Sequence, residues 1–365
     1  MRDLLIVGGG PAGLSAAIEA ARLGLETEVI EEHAEVGFPE HCAGLVSLSG
    51  LRKILGTEAP IIKKVKGFRV YSPSGKGYTV KRMEAKAAVI DRPLFERELL
   101  RRAEASGARV TLGARFRGDE RFGVLINAEG TAGRVSKRLG FGIPDAIPAA
   151  QLDLETSDFD DDLVEIYLGS HAPGFFAWSV PRKDGVRVGL AARVGVPLRS
   201  LEALLERFGP WRGLSGARRS PPIFGKVVVG GPLKEVQKGR AIVIGDAGGF
   251  VKPTTGGGVV LGCLTARIAA RAAHRLLSGK GGRVDFGKEW KMSYGRDFML
   301  MRLARAIYSR MGESELEGTL EALYSCGALE DAIKYDMDLQ GRALWRLARS
   351  KIFFRLAPTA LRAML

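Results

Sequence analysis

The chain has 365 residues, 46% of them hydrophobic, which is enough to form the cores of two domains and excludes a disordered protein. Its 55 basic and 41 acidic side chains give a net charge of +14, which suits phosphorylated or membrane partners without selecting one. Cys42, Cys263 and Cys326 lie far apart and outside any Cys-x-x-Cys pair, which argues against a disulfide framework, an iron–sulfur cluster or another metal site.

Two further features bear on location. The first residues run directly into an apolar strand pattern, so we expect no signal peptide. The longest uncharged stretch of interest, residues 253–266, is rich in glycine and shorter than a membrane span. We therefore predict a cytoplasmic protein, and we find no nucleic-acid-binding motif.

The first predicted elements form a βαβ unit. Residues 3–7 are a short apolar run, the following segment has helical spacing, and a second strand ends at Glu31. The turn between the first strand and the helix carries Gly-x-Gly-x-x-Gly as Gly8, Gly10 and Gly13. These glycines permit the turn, the approach of a pyrophosphate to the backbone and close helix–strand packing, while Glu31 suits a ribose without a 2′-phosphate. A dinucleotide site is predicted here.

The elements that follow indicate a second, inserted unit. Residues 67–80 alternate like a β-hairpin, residues 93–105 form a helix, and a new series of strands begins near residue 148 and continues to about Val196. At Arg240 the nucleotide domain returns with a strand, a glycine-rich loop and an alanine-rich helix. The predicted domains are a nucleotide-binding part at 1–147, interrupted near 62–92; a β-sheet substrate domain at 148–235; the returning nucleotide-binding part at 236–284; and a helical C-terminal region at 285–365.

A second glycine-rich turn follows the returning strand. It contains Gly245 and Asp246, and then Pro253 and residues 256–258 before a helix. Two such turns suggest one long cofactor contacted from both ends, which would be FAD. We predict an α/β fold: a Rossmann-like FAD-binding domain of glutathione-reductase type with an inserted β-sheet substrate domain and a helical C-terminus.

Four stretches of the sequence together resemble the archaeal geranylgeranyl reductases, including the digeranylgeranylglycerophospholipid reductases, within the flavoproteins related to para-hydroxybenzoate hydroxylase. They are the turn at residues 8–13, FPEHCAGLVS at 38–47, PGFFAWSVP at 173–181 and GDAGGFVKPTTGGG at 245–258. The family's PxxYxWxFP pattern appears with Phe176 in place of tyrosine and Val180 in place of phenylalanine. The turn at Glu129 has glutamate where related flavoproteins carry aspartate.

The resemblance implies a set of site residues. Those assigned to FAD come from both glycine turns, the cysteine stretch and the segments around Arg92 and Glu129: Gly8, Gly10, Pro11, Ala12, Gly13, Glu31, Glu32, Cys42, Ala43, Gly44, Arg92, Glu129, Gly130, Gly245, Asp246, Pro253, Gly256, Gly257 and Gly258. Phe176, Trp178 and Pro181 are assigned to the substrate, with packing in the core of the sheet as the alternative for the two aromatic residues. No metal ligand is assigned.

The resemblance also implies that reduced FAD saturates C=C bonds of geranylgeranyl chains in membrane lipid precursors. Such a reaction needs a proton, for which Cys42 is the catalytic candidate; the alternative is a packed structural thiol. Arg92 either approaches the cofactor or only pairs with Asp91 or caps its helix. No second nucleotide-binding motif is evident in the sequence. The sequence therefore does not choose among NADPH, ferredoxin and another small carrier as the reductant.

Two alternatives at the level of function stay open. The same cofactor loops occur in aromatic or polyketide hydroxylases and would suit an FAD electron-transfer protein that serves a quinone or a protein partner. The final 25 residues contain six basic and no acidic side chains, with Trp345, Ala348, Ile352 and Leu356 near one helical stripe and Arg342, Arg346 and Arg349 near another. This tail either lies peripherally on the cytoplasmic membrane face or packs on the domain. The oligomeric state is not predicted.

Overall fold

A parallel sheet of six strands organises the nucleotide-binding part. The computed structural model describes residues 2–157, 159–160, 162–208, 216–279 and 284–349. The strand order is β16-β17-β9-β1-β2-β8, parallel throughout except for the β16–β17 pair. Its strands are β1 (Arg2–Val7), β2 (Thr27–Ile30), β8 (Arg109–Thr111), β9 (Phe122–Asn127), β16 (Gln237–Lys238) and β17 (Ala241–Val243). Consecutive residues Leu4, Leu5 and Ile6 are all buried, as parallel strands covered on both faces require.

Helices cover this sheet through small side chains. The principal ones are α1 (Pro11–Arg22), α3 (Arg92–Ala105) and α7 (Val259–Ser278). Helix α1 packs closely on α7, where alanines such as Ala16 and Ala266 are fully buried. Short side chains let the two helix backbones approach. Both helices follow strands that run parallel, so they begin at the same edge of the sheet.

A mainly antiparallel sheet of eight strands forms the second layer. The order is β14-β10-β13-β12-β11-β5-β6, with β15 also paired to β10, and the parallel pair β11–β5 joins the hairpin predicted at 67–80 to this sheet. The strands are β5 (Gly67–Tyr71), β6 (Gly77–Lys81), β10 (Ala146–Glu155), β11 (Leu163–Tyr167), β12 (Ala177–Arg182), β13 (Gly185–Ala191), β14 (Arg218–Arg219) and β15 (Ile223–Val228). One face packs on α5 (Pro197–Phe208) through leucines such as Leu201, which leaves the other face for the site.

The remaining elements join the two layers. A sheet of order β3-β7-β4 contains β3 (Leu45–Ser47), β4 (Ile61–Val65) and β7 (Ala87–Ile90). The other helices are α2 (Leu48–Leu55), α4 (Arg134–Arg138), α6 (Gly245–Gly248), α8 (Phe286–Tyr308), α9 (Glu313–Ser325), α10 (Ala328–Ala332) and α11 (Gly341–Ala348). Within the described ranges, every helix is too short or too polar to cross a bilayer. Residues 350–365 of the basic tail lie outside the described residues.

Candidate active site

One large cavity lies between the two main sheets. Its volume is about 1310 Å³, and it runs from the turn after β1, past the loop that carries Cys42, to the exposed face of the eight-stranded sheet. Segments from α10 to α11 close part of its wall. A single small-molecule site usually has about 300–1,000 Å³, so this cavity has room for a long cofactor and part of a second ligand.

The first glycine turn has the shape that a pyrophosphate site needs. A Cβ atom at Gly13 would lie 1.9 Å from the Gly8 carbonyl oxygen, and one at Gly8 would lie 2.3 Å from the Ala128 oxygen. A Cβ at Gly10 would meet no atom within 4 Å, because Gly10 faces the cavity. The backbone at Gly10 and the start of α1 are therefore open to an anionic group.

The two acidic residues after β2 have different surroundings. Glu31 is buried, and its side chain accepts hydrogen bonds from the Gly9 N–H at 2.6 Å and the His33 N–H at 2.9 Å. Glu32 also lines the cavity, but it pairs with Arg115 at 3.1 Å. Glu31 is thus held rigidly beside the glycine turn, whereas Glu32 sits in a more solvated ion pair.

The turn that contains Glu129 reaches the cavity from β9. The Glu129 carboxylate accepts hydrogen bonds from the Asn127 amide at 3.0 Å and from the Val135 and Ser136 N–H groups at 2.9 and 2.6 Å. Burial alone would raise the pKa of Glu129, but these hydrogen bonds hold it below its usual value. The side chain organises the start of α4, and neighbouring Gly130, with φ of 68°, leaves open space at the cavity.

The second glycine turn brings Asp246 to the cavity wall. Burial raises the pKa of its carboxyl group, and the charge of Arg92 partly opposes that rise. Within the described part of the chain, no group donates a hydrogen bond to this carboxylate. A Cβ at Gly258 would lie 2.8 Å from Asp246 Oδ1, so the glycine lets the loop fold against the carboxylate. This half-buried carboxylate is free to accept a hydrogen bond from a ligand, such as a ribityl hydroxyl.

Cys42 and Arg92 meet inside the cavity. The guanidinium of Arg92 faces Cys42 and donates a hydrogen bond to Glu96, its partner one helical turn along α3. Burial would lower the pKa of Arg92, but Cys42 and Glu96 together raise it above its ordinary value. The Gly44 N–H donates to Cys42 Sγ at 3.3 Å, and the half-buried thiol forms no disulfide. The cap of α3 comes from Asp91, whose side chain accepts from the Leu94 N–H, so Arg92 is not the cap.

Arg187 holds the loop that carries Cys42. It lies on β13, is 1% exposed, and donates from Nη1 to the Cys42 carbonyl oxygen at 2.7 Å. The same guanidinium binds Asp153 with two hydrogen bonds, of 2.6 and 2.8 Å, and Glu40 at 3.1 Å. Burial would lower the pKa of Arg187, yet Asp153 and Glu40 raise it. The sequence analysis did not select Arg187. The feature that could have indicated it is a single arginine within an otherwise apolar strand.

Lys252 is a second residue that the motifs did not indicate. It lines the cavity within the second glycine turn, and its ammonium group donates to Asp338 at 2.8 Å and to the Met337 carbonyl at 3.2 Å. Burial would raise the pKa of Asp338, but the charge of Lys252 holds it below its usual value. This buried pair fastens the segment before α11 to the second glycine turn, and its two members are 86 residues apart in the sequence.

The aromatic segment lies on the floor of the cavity. Phe176 and Trp178 both line it, with ring centroids 6.3 Å apart in an edge-to-face arrangement. Phe175 stacks on Phe176 at 4.2 Å and carries Arg305 over its ring. Both predicted aromatic residues thus have cavity-facing surface, although they also pack against the sheet.

Four of the predicted contact residues lie behind the cavity wall. Gly13 packs against Gly8, and Gly44 packs against β7, where a Cβ would lie 2.8 Å from the Ile90 oxygen. Pro181 and Pro253 are buried. Their physical role is to shape the wall, because none of the four contributes surface to the cavity. The other predicted residues all line it.

Replacement of Asp246 should separate cofactor binding from stability. We expect Asp246→Asn to weaken FAD binding by about tenfold to a hundredfold, because a charge-assisted hydrogen bond contributes about 1.5–3 kcal/mol. The apoprotein should unfold at the same or a slightly higher urea concentration, since a half-buried carboxylate that accepts no hydrogen bond is replaced by a neutral amide. Retained flavin after dialysis and urea unfolding give the two readouts. The exposed Asp145→Asn is the control, and full flavin retention by Asp246→Asn would contradict the assignment.

Comparisons with known proteins agree with this geometry. Residues 3–67 match the FAD dependent oxidoreductase family. The chain is 28% identical to the digeranylgeranylglycerophospholipid reductase of Methanothrix thermoacetophila, covering 94% of this chain and 96% of that protein. It is 29% identical to digeranylgeranylglycerophospholipid reductase 2 of Methanothermobacter thermautotrophicus, with 88% and 91% covered.

Solved structures share the fold. A geranylgeranyl bacteriochlorophyll reductase-like protein from Thermoplasma acidophilum has a TM-score of 0.82 and 22% identity, with 98% of this chain and 99% of that chain covered. The p-nitrophenol 4-monooxygenase of Pseudomonas putida has a TM-score of 0.71 and 16% identity, with 95% and 97% covered. The predicted α/β fold class and the resemblance stated from the four motifs are confirmed. The chain is an FAD-dependent oxidoreductase related along most of its length to the digeranylgeranylglycerophospholipid reductases.

Proposed function

We propose that this enzyme saturates C=C bonds of geranylgeranyl chains in membrane lipid precursors. The observation that carries the proposal is the continuity of one cavity. Both glycine turns, the Cys42 loop, and Phe176, Trp178 and neighbouring aliphatic side chains of the floor all line this one cavity. An apolar isoprenoid chain can therefore reach the reacting end of the cofactor without crossing a polar barrier.

The chain's own residues supply position and a proton. FAD, when bound, supplies a hydride to one carbon of the double bond. Cys42, held between Arg92 and the Gly44 N–H, is the proposed source of the proton for the other carbon. Arg187 fixes the loop backbone, so that the thiol keeps its place relative to the floor. The aromatic floor excludes water from the double bond.

Product analysis tests this proposal. The FAD-loaded protein is incubated with dithionite and a geranylgeranyl-bearing glycerophospholipid without oxygen, and the lipid is analysed by mass spectrometry. We expect a gain of two hydrogens for every bond saturated. A product that contains added oxygen, formed only in air from an aromatic compound, would instead indicate a hydroxylase. Electron transfer to a quinone with unchanged lipid would indicate an electron carrier.

Peripheral attachment to an anionic membrane is the second part of the proposal. On α8, the exposed side chains Met292, Met299 and Leu303 share one face, at intervals of seven and four residues. Arg296 lies on the same face and over the ring of Trp345 of α11, at 4.6 Å from its centroid. Apolar side chains with tryptophan and cations are typical of a helix surface that lies in a membrane interface.

Charge and position also favour this surface. The acids of α8 are engaged elsewhere: Glu289 pairs with Arg275, and Asp297 accepts from the Gly341 N–H. Two other residues of α11, Ala343 and Leu344, line the cavity. A lipid that approaches this surface would be separated from the cavity by one helix.

Vesicle binding tests the surface. We expect Met292→Glu/Met299→Glu to bind phosphatidylglycerol–phosphatidylcholine vesicles at least about tenfold more weakly than the parent, because two anions and lost apolar area both oppose binding. Leu23→Glu, at the end of α1 remote from the cavity, should bind as the parent does. Unchanged binding of the double variant would show that attachment occurs elsewhere. If the parent protein is a dimer in the absence of vesicles and the double variant is a monomer, this face is a protein–protein interface.

A further inference from the structure

The cavity floor contains a buried polar side chain, Gln151, that no sequence motif indicates. Gln151 of β10 is 3% exposed and lines the cavity. Neither its amide nitrogen nor its amide oxygen has a hydrogen-bond partner among the described residues, and the same holds for Trp178 Nε1. An unpartnered buried amide is costly, by about 1–3 kcal/mol, and these atoms lie just beneath the cavity surface, so a ligand completes them when the two side chains turn toward the cavity.

Strand register brings these two side chains together. Gln151 pairs with Gly189 on β13, and Gly189 pairs with Trp178 on β12, so all three lie in one row on one face. A Cβ at Gly189 would lie 2.6 Å from Trp178 Cε2, the ring atom bonded to Nε1, and 2.7 Å from Gln151 Cβ. The missing side chain lets the indole lie across the glycine toward Gln151. The row continues into Ile223 and Ile166, which are apolar.

The next row places this pair near the reactive loop. Two residues along the same strands, Asp153 pairs with Arg187, which holds the Cys42 carbonyl. Same-face neighbours along a strand are about 6.7 Å apart, so the polar pair lies one row from the anchor of the Cys42 loop. Arg187 itself is fully engaged by Asp153, Glu40 and Cys42, and it leaves no free cation for a phosphate at this row.

We propose that Gln151 and Trp178 form a neutral hydrogen-bonding subsite for a hydroxyl group of an isoprenoid lipid. A hydroxyl both accepts and donates, so it accepts from the indole N–H or the amide nitrogen and donates to the amide oxygen. An ether oxygen can only accept a hydrogen bond, so it would leave the amide oxygen of Gln151 without a donor. The subsite fixes how far the chain advances along the floor and therefore which double bond meets the cofactor. This inference rests on the isoprenoid substrate proposed above.

Binding to the FAD-loaded, oxidised protein tests the subsite without turnover. Dissociation constants are measured for geranylgeraniol, its methyl ether and the corresponding hydrocarbon in one detergent, for the parent and for Gln151→Leu. For each protein, the preference is the dissociation constant of the hydrocarbon divided by that of the alcohol. We expect this preference to be at least about tenfold larger for the parent than for Gln151→Leu. The parent should bind the ether with an affinity between those for the alcohol and the hydrocarbon. Trp178→Phe, which keeps a ring and loses the N–H, should lose part of the preference.

Urea unfolding of the apoprotein gives an independent readout. Gln151→Leu keeps the side-chain volume and removes two unpaired polar atoms, so its unfolding midpoint should rise. Gln237→Leu is the matched control, because the Gln237 amide binds Phe286 N–H, Gly239 O and Val284 O and its loss should lower the midpoint. A lower midpoint for Gln151→Leu, or an unchanged alcohol preference, would overturn the subsite. If the parent protein prefers the alcohol to the hydrocarbon but reduces no isoprenoid lipid, the subsite stands and the proposed function is refuted.

Discussion

Cys42→Ser should slow alkene saturation by about a hundredfold or more while leaving reduction of the bound flavin unchanged. A general acid contributes about 10²–10⁴ to a rate, and a serine hydroxyl gives up its proton far less readily than a thiol. Serine is also close in size, so the loop and its Arg187 contact should persist. The measurement is a pair of anaerobic stopped-flow experiments: flavin reduction by dithionite, then flavin reoxidation by a geranylgeranyl lipid.

Two variants separate chemistry from packing. Cys326→Ser removes an exposed thiol and should leave both half-reactions unchanged. Cys42→Ala should be at least as slow as Cys42→Ser in alkene saturation, because alanine has no proton to donate and the serine hydroxyl is a much weaker acid than the thiol. Equal rates for parent and Cys42→Ser in both steps would assign Cys42 to packing alone, which is the alternative that the sequence left open.

Arg187→Met should lower the free energy of unfolding by about 3 kcal/mol. Removal of one partner from a buried ion pair commonly costs about 3–5 kcal/mol, and the lower end applies because Asp153 is partly exposed and Glu40 retains Arg182. The loop should also loosen, since Cys42 loses the donor at its carbonyl oxygen. Urea unfolding gives the first quantity, and the rate of Cys42 alkylation by iodoacetamide in a Cys326→Ser background gives the second.

An exposed arginine provides the comparison. Arg193 pairs with Asp145 at 2.6 Å, but both side chains are about half exposed, so Arg193→Met should change the free energy of unfolding by less than about 1 kcal/mol. It should not alter Cys42 alkylation. If Arg187→Met matches Arg193→Met in both measurements, Arg187 does not hold the loop.

The motifs predicted the fold class and the cofactor because their physics is local. Gly8 and Gly13 lie within one turn, and no side chain fits at either position. Asp246 follows a buried strand and precedes glycines, a pattern that can be read within a dozen residues. Such short segments carry their own geometry, so a single sequence is sufficient to indicate them.

Residues that act across the two sheets could not be found in this way. Arg187 meets Cys42 across 145 positions, and Lys252 meets Asp338 across 86. Gln151 and Trp178 become neighbours only when three strands align around Gly189. Pairing register, which alternating patterns leave undetermined, decides the last of these contacts, whereas the tertiary packing of distant segments decides the first two. For Glu129, the sequence indicated the turn but not the hydrogen bonds that its carboxylate accepts from the N–H groups of α4.

Reoxidation of the reduced flavin by lipid tests the central claim most directly. The enzyme-bound FAD is reduced anaerobically with one equivalent of dithionite, and a geranylgeranyl-bearing phospholipid is added while flavin absorbance and lipid mass are followed. The proposed reductase requires reoxidation with a gain of two hydrogens in the lipid for each flavin. A flavin that stays reduced with the lipid, yet is reoxidised by a quinone or by oxygen with an aromatic compound, would contradict it.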